Sequence, residues 1–315
     1  MKSNIEIHRT KKEYDKIPLD IESQIELLKS RWLIFSDEEY AKIFLNRVSY
    51  YRLSAYMRFF LGDDRENFRD KTEFKDITNL YNFDSDLKIL LLEALETIEI
   101  DFKTQIINII SIKYGSGFRF MDKDNFASEE DYDKVIKHIE SDIEKNKENS
   151  MPIKHYYNNY NAPKYPPCWM LMQIMSFWNV CSLYKALLKV DKSKIAKRYN
   201  LRYQQVESWM VCLSYLRNIC AHSDWVWNRW MKKTMTTRWI KKYTEQWDKL
   251  FTYLVVICYL FSNINSSAFS ERIKKLIKGI TKSNTIKSKV SYMWFPDNWE
   301  QILSSKISIE KDNNN

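Results

Sequence analysis

Glycine and proline are scarce in this 315-residue chain, which holds only 4 and 6 of them. Both residues punctuate turns and interrupt helices, so their shortage argues against a many-turned β protein and leaves room for long helices. Cysteine is sparse as well. Cys168, Cys181, Cys212, Cys220 and Cys258 are odd in number, widely spread, and form no Cys-x-x-Cys pair. That pattern argues against a disulfide framework or a zinc ligand set and predicts reduced thiols packed in a core. No apolar run reaches 20 residues. The longest, Phe251 to Phe261, is too short to span a bilayer and predicts a buried helix. Met1 to Lys12 is polar and charged, which gives no support to a signal peptide. Together these shortages predict a cytoplasmic protein with no membrane span, no bound metal and no cofactor.

What the chain has in excess is aromatic residues, at 15%, and positive charge, at a formal +9. The charge is unevenly placed. Trp225 to Tyr243 carries Arg229, Lys232, Lys233, Arg238, Lys241 and Lys242 without one acid, and Arg272 to Lys289 carries seven more cations, again without an acid. Such runs are commonly no more than solvated faces. The first, however, is interleaved with Trp225, Trp227, Trp230 and Trp239. Cations for phosphates beside aromatic faces for unstacked bases suit single-stranded RNA; tryptophans that simply pack a core are the alternative.

Apolar periodicity lays out the helices. Ile21 to Lys29 and Asp37 to Asn46 read as short helices, the second behind a Ser36-Asp37 cap. Arg47 to Phe60 repeats aromatic residues at three and four positions, which predicts a core-facing helix whose Arg47, Arg52 and Arg58 must point at solvent, acids or phosphates. Asp84 to Lys113 is the clearest long helix, with a stripe from Leu87 through Leu91, Leu95, Ile98 and Phe102 to Ile106, ending near Gly115 and Gly117. Asp131 to Lys147 reads as an exposed, charged helix. Pro152 to Pro167 holds four of the six prolines and is taken as a linker. Further helices are expected at Cys168–Lys189, Lys192–Tyr199, Tyr203–His222 and Lys241–Ile264, with weak helical character to Lys289 and a short closing helix introduced by Trp294 to Trp299. The expected domains are a helical N-terminal region (1–150), a second helical domain (151–307) and a disordered tail (308–315).

One stretch gathers reactive groups: Arg217-Asn218-Ile219-Cys220-Ala221-His222, followed by Trp227-Asn228-Arg229. Histidine can both accept and donate a proton near neutrality, and arginine presents a permanently charged planar fork to phosphate oxygens. With Asn218 beside them, Arg217 and His222 are the parts needed to cleave an RNA phosphodiester without a metal. Residues five apart on a straight helix diverge by about 140°. Either the helix loosens near His222, or the site is assembled between two copies of the chain. Transesterification needs a base at the 2′-hydroxyl and an acid at the leaving oxygen. His8, His138 and His155 have no arginine at comparable spacing, so a symmetric dimer presenting two His222 residues would supply both groups. The alternative is a histidine that merely caps a helix C-terminus or sits satisfied in a core.

A set of stretches runs in a fixed order along most of the chain. It begins with Gln24 to Arg31 and the Tyr-Tyr-Arg-Leu-Ser core at Tyr50 to Ser54. Leu80 to Asp84, the Leu91 to Ile100 helix, Pro166 to Met170 with Ser176-Phe177, and Glu207 to Trp209 follow. Tyr215 to His222 and then Trp227 to Arg229 close the set, with a weaker echo at Phe295 to Glu300. In that order the set resembles the AbiD/AbiF-like abortive-infection proteins.

The resemblance implies antiphage defence and an all-α fold, a helical bundle whose C-terminal half is a HEPN-like domain. The Arg-x4–6-His motif of such domains marks metal-independent endoribonucleases that usually act as dimers. Carried over, Arg217, Asn218 and His222 are the catalytic candidates, in a toxin of abortive infection that binds RNA as substrate and, in some systems, a non-coding antitoxin RNA. Asn228 and Arg229 match the family's trailing Asn-Arg. With Lys232, Lys233, Arg238, Lys241, Lys242, Arg47 and Arg52 they are the RNA-binding candidates. Ser223 and Trp225 stand where the family often has a second histidine and an arginine. The rival expectation is a defence protein that binds a structured RNA without cutting it.

Overall fold

The computed structural model describes residues 17–236, 240, 243, 249–264, 271–275, 278 and 295–304. Residues 1–16, most of the stretch from 265 to 294 and residues 305–315, with the expected tail at 308–315 among them, lie outside these. Among the described residues the protein is all-α, with no strand and only isolated bridging pairs such as Ile34–Glu73. No helix there is long and apolar enough to cross a membrane.

The chain divides into two compact units between Tyr81 and Asn82. In the first, α1 (Ile21–Ser30), α2 (Glu38–Arg47) and α3 (Tyr50–Met57) start behind Asp20, Asp37 and Ser49. Each of these side chains accepts an N–H of the first turn, which satisfies a donor the helix itself cannot. The expected Arg47–Phe60 helix is therefore two pieces. Ser49 breaks the chain to cap α3, and the end tightens into a 3-10 turn at Arg58–Phe60. Phe35, Tyr40, Phe44, Tyr56, Phe74 and Tyr81 build the aromatic core of this unit through stacked and edge-on contacts.

The unit boundary falls inside α4 (Phe74–Ile107), which begins ten residues before the expected Asp84. Its stripe is buried as the periodicity predicts, with Leu87, Leu91, Leu95, Ile98, Phe102 and Ile106 each exposed by no more than 1%. A π-turn at Asn108–Ile112 and a left-handed Gly115 close it. In the second unit follow α5 (Glu129–Asn146), α6 (Met151–Asn159), α7 (Cys168–Ile174), α8 (Phe177–Ala186), α9 (Lys189–Arg198), α10 (Tyr203–Ala221), α11 (Leu250–Ile264) and α12 (Trp299–Ser304).

Two expectations fail for local reasons. The proline-bearing linker contains α6, because Pro152 sits in its first turn, where the missing N–H costs nothing and the fixed φ suits a helix. The expected Cys168–Lys189 helix is broken because Met175 and Ser176 turn extended and the Ser176 hydroxyl caps α8 by accepting from the Asn179 N–H.

The centre of the second unit is α10, which packs on α8 and α9 and buries Val206, Trp209, Met210, Leu213 and Leu216 completely. The Trp209 ring donates its N–H to the Thr236 carbonyl at 3.0 Å and meets Tyr259 of α11 edge-on. All five cysteines are free; four are buried and Cys258 is partly so, and burial raises each thiol's pKa, to about 12 at Cys220.

Candidate functional site

The last two turns of α10 carry Arg217, Asn218 and Ala221, and the helix stops at His222, whose φ of −83° and ψ of 8° are no longer helical. The stop has a defined chemistry. The Ser223 N–H donates to the Cys220 carbonyl and the Asp224 N–H to the Ile219 carbonyl, both at 3.0 Å, with Ser223 left-handed at φ 56°. This pair of bonds across a left-handed residue satisfies carbonyls at the helix end; glycine usually fills that place, and serine tolerates it here.

Helix periodicity then splits the motif. Arg217 and Ala221 lie within about 40° of each other, as do Asn218 and His222, on adjacent faces. The His222 residue is exposed, and among the described residues no hydrogen bond or ion pair engages its ring. It is thus both the cap of α10 and a histidine open to solvent. The Arg217 side chain is 42% exposed, with its Nη1 3.4 Å from the Asn218 Oδ1 and its Nε 3.8 Å from the Glu99 carboxylate on α4.

Arg217 and Ala221 line a surface cavity of about 590 Å³ whose other walls include Glu93, Glu96, Glu99, Lys103 and Met172. Carboxylates outnumber cations among these residues. Glu93 is bonded by both terminal nitrogens of Arg272, which holds its carboxyl below the usual range. The Glu99 Oε1 is 2.8 Å from Lys103 Nζ.

The segment after the motif is pinned from two sides. Asp84, fully buried on α4, accepts the Val226 N–H at 3.0 Å and the Trp227 N–H at 2.7 Å, and pairs with Lys88 one turn along at 3.0 Å. From the other side Lys249 donates to the Asn228 Oδ1 at 3.3 Å and lies 3.5 Å from the centre of the Trp230 ring. Trp227 is completely buried and meets Phe83 edge-on, so its rings pack a core and offer no face to a base. That corrects the reading of the whole tryptophan set as stacking platforms. Trp230 is 59% exposed, and Trp239 lies outside the described residues.

The RNA-binding candidates scatter accordingly. The Arg229 side chain is 16% exposed; it donates to Asp224 at 2.7 Å and to the Trp225 carbonyl at 3.1 Å, and stacks 5.1 Å from the Trp225 ring. Asn228 is left-handed at φ 48° and serves Lys249. Lys232 and Lys233 are exposed, the latter 5.5 Å from the Trp178 ring. Arg238, Lys241 and Lys242 lie outside the described residues. In the first unit Arg47 is exposed at the end of α2 and Arg52 is half-buried on α3, with Tyr51 beside it 88% exposed. Sequence reasoning passed over Asp84, Lys88 and Glu99. Asp84 with Lys88 and Glu99 with Lys103 each carried a signal, a carboxylate and an ammonium four apart on the apolar-striped helix.

A family profile described as Abi-like protein matches residues 43–228, more than half of the chain and inclusive of Arg217 to Asn228. No curated protein and no solved structure matches the chain.

Proposed function

The chain belongs to the Abi-like protein family, which supports a role in abortive infection, and from that premise we propose that it is a metal-independent endoribonuclease of antiphage defence, acting as a toxin. The observation that carries this reading is the end of α10. An arginine, an asparagine and a histidine occupy its last turns, the arginine half-exposed over a cavity and the histidine open to solvent at the helix cap.

In the proposed reaction the 2′-oxygen attacks phosphorus while a base takes its proton, and the P–O5′ bond breaks as an acid protonates the departing oxygen. The products are a 2′,3′-cyclic phosphate and a 5′-hydroxyl. His222 serves as one of the proton-transfer groups, and His222 of a second copy serves as the other. Arg217 faces the charge that builds on the phosphorane oxygens, the kind of placement that contributes most to such reactions. Asn218, on the face of His222, orients the imidazole or the 2′-hydroxyl. Lys232 and Lys233 hold the RNA backbone, while Asn228 and Arg229 serve the site by fixing the segment behind it.

The test in cells is induced expression of wild type, Arg217→Ala and His222→Ala at matched protein levels. Growth arrest with fragmented RNA from wild type alone supports the proposal. Equal arrest by all three chains overturns it and favours a protein that acts by binding RNA.

A further inference from the structure

We infer that Trp178 is a stacking platform for an unpaired RNA base, with Lys233 and Lys185 holding phosphates beside it; this rests on the reading above of a protein that acts on RNA. Trp178 is the second residue of α8 and is 41% exposed, while Phe177, Val180 and Cys181 around it in sequence are buried. One exposed ring is ordinary on a protein surface. The cations around this one set it apart. Lys233 Nζ stands 5.5 Å from the ring centre. Lys185 follows Trp178 by seven residues on α8, which returns it to within about 20° of the same face, about 10 Å along the axis. Lys185, Lys232 and Lys233 are all exposed, and among the described residues none of these ammonium groups is paired with a carboxylate.

The backbone that carries Lys233 is fixed, so its side chain is the part left to move. Met231 and Met235 are buried on either side of it. The Lys233 carbonyl accepts the Tyr253 hydroxyl of α11. The Thr236 N–H donates to the Ser208 hydroxyl at 2.8 Å, and the Thr236 carbonyl accepts the Trp209 ring N–H at 3.0 Å. A cation over an exposed ring is a weak contact, and a stacked base gains more from the same ring. The arriving base therefore displaces the ammonium, which turns on its flexible stem to the phosphate of that nucleotide. A protein partner anchored by a tryptophan would favour surroundings depleted of lysine. This ring has the opposite setting, which favours nucleic acid. Trp169 of α7 is the internal contrast: it is 45% exposed, yet among the described residues no cation stands over its ring.

The experiment measures binding of the full-length chain to a labelled single-stranded 2′-O-methyl RNA, whose blocked 2′-oxygen cannot attack phosphorus. Wild type, Trp178→Ala, Trp178→Tyr, Trp169→Ala, Lys233→Gln and Lys185→Gln are compared by fluorescence anisotropy after circular dichroism shows each to be folded. Trp178→Ala is expected to weaken binding about 5- to 100-fold, the range of one lost base stack, without changing the salt slope. Trp178→Tyr should restore most of the affinity, and Trp169→Ala should match wild type. Lys233→Gln and Lys185→Gln should each make the slope of log affinity against log salt shallower by about 0.7. On a duplex of the same sequence, whose bases are already stacked, Trp178→Ala should cost nothing.

Unchanged affinity in Trp178→Ala overturns the inference and turns the exposed ring towards a protein partner. An equal loss in Trp169→Ala, or an equal loss on the duplex, overturns it as well. If Trp178→Ala does not fold, the two lysine variants carry the test, and an unchanged slope in both overturns the inference. A wild type that binds the blocked strand through Trp178 yet cuts no unmodified RNA removes the ribonuclease reading and leaves the platform standing.

Discussion

Asp84 and Trp227 lie 143 positions apart in the chain and 2.7 Å apart in the fold, the buried carboxylate accepting the tryptophan's backbone N–H. With the Val226 N–H and the Lys88 ammonium on the same carboxylate, this contact ties the segment behind the Arg/His motif to α4. The cap that ends α10 at His222 is therefore braced from outside its own helix.

Removing that brace should be expensive. Asp84→Ala leaves two backbone N–H groups and a lysine ammonium buried without their acceptor, and breaking a buried pair in this way typically costs about 3–5 kcal/mol. Urea denaturation should show a loss of this size. Asp84→Asn combined with Lys88→Met keeps an acceptor for the amides and removes both charges, and should recover most of it.

The left-handed residue at the cap gives a second prediction. A β-branched side chain fits poorly at a φ of 56°, so Ser223→Val should destabilise the protein by about 1–2 kcal/mol. Ser223→Gly should preserve the helix end. Thermal melts of the two variants, run beside wild type, check the order.

His138 makes stability depend on pH. Burial chiefly, with help from Lys134 and against the pull of Asp142, lowers its pKa, and its Nδ1 is buried without a partner. A histidine with a lowered folded pKa takes up its proton more readily once unfolded. Its contribution is complete above histidine's ordinary value of about 6.5 and is lost as pH falls from there towards the folded value. His138→Leu should flatten the stability profile across that window, measured by denaturation at a series of pH values.

Much of this was legible in the sequence. The stripe from Leu87 to Ile106 predicted α4, because a solvent-facing helix writes its packing into a local period; the scarcity of glycine and proline left room for long helices, while the all-α class came with the family resemblance. The angular offset of Arg217 and His222 was also readable, and the helix ends at the histidine as one of the two expectations required. What stayed hidden depends on contacts far apart in sequence. Nothing local tells that Asp84 will meet the amides of Val226 and Trp227, that Trp227 will pack while Trp230 stays exposed, or that Glu99 will stand beside Arg217. The division of Cys168–Lys189 at Ser176 was missed for the opposite reason: one hydroxyl capping one N–H outweighed an unbroken apolar pattern.

Salt dependence separates backbone contact from structural charge. If Lys232 and Lys233 each neutralise a phosphate, replacing both with glutamine should weaken binding to all single-stranded RNAs alike. It should also make the slope of log affinity against log salt shallower by about 1.4, at about 0.7 for each contact. Arg229→Gln, which loses bonds to Asp224 and Trp225, should lower stability and leave that slope unchanged.

The most direct measurement of the central claim pairs wild type with His222→Ala on a mixed, labelled RNA pool in EDTA, with both proteins shown to be folded. The account predicts that wild type alone cleaves, leaving 2′,3′-cyclic phosphate ends. Cleavage by His222→Ala at the wild-type rate, or cleavage that stops when EDTA is added, would contradict it.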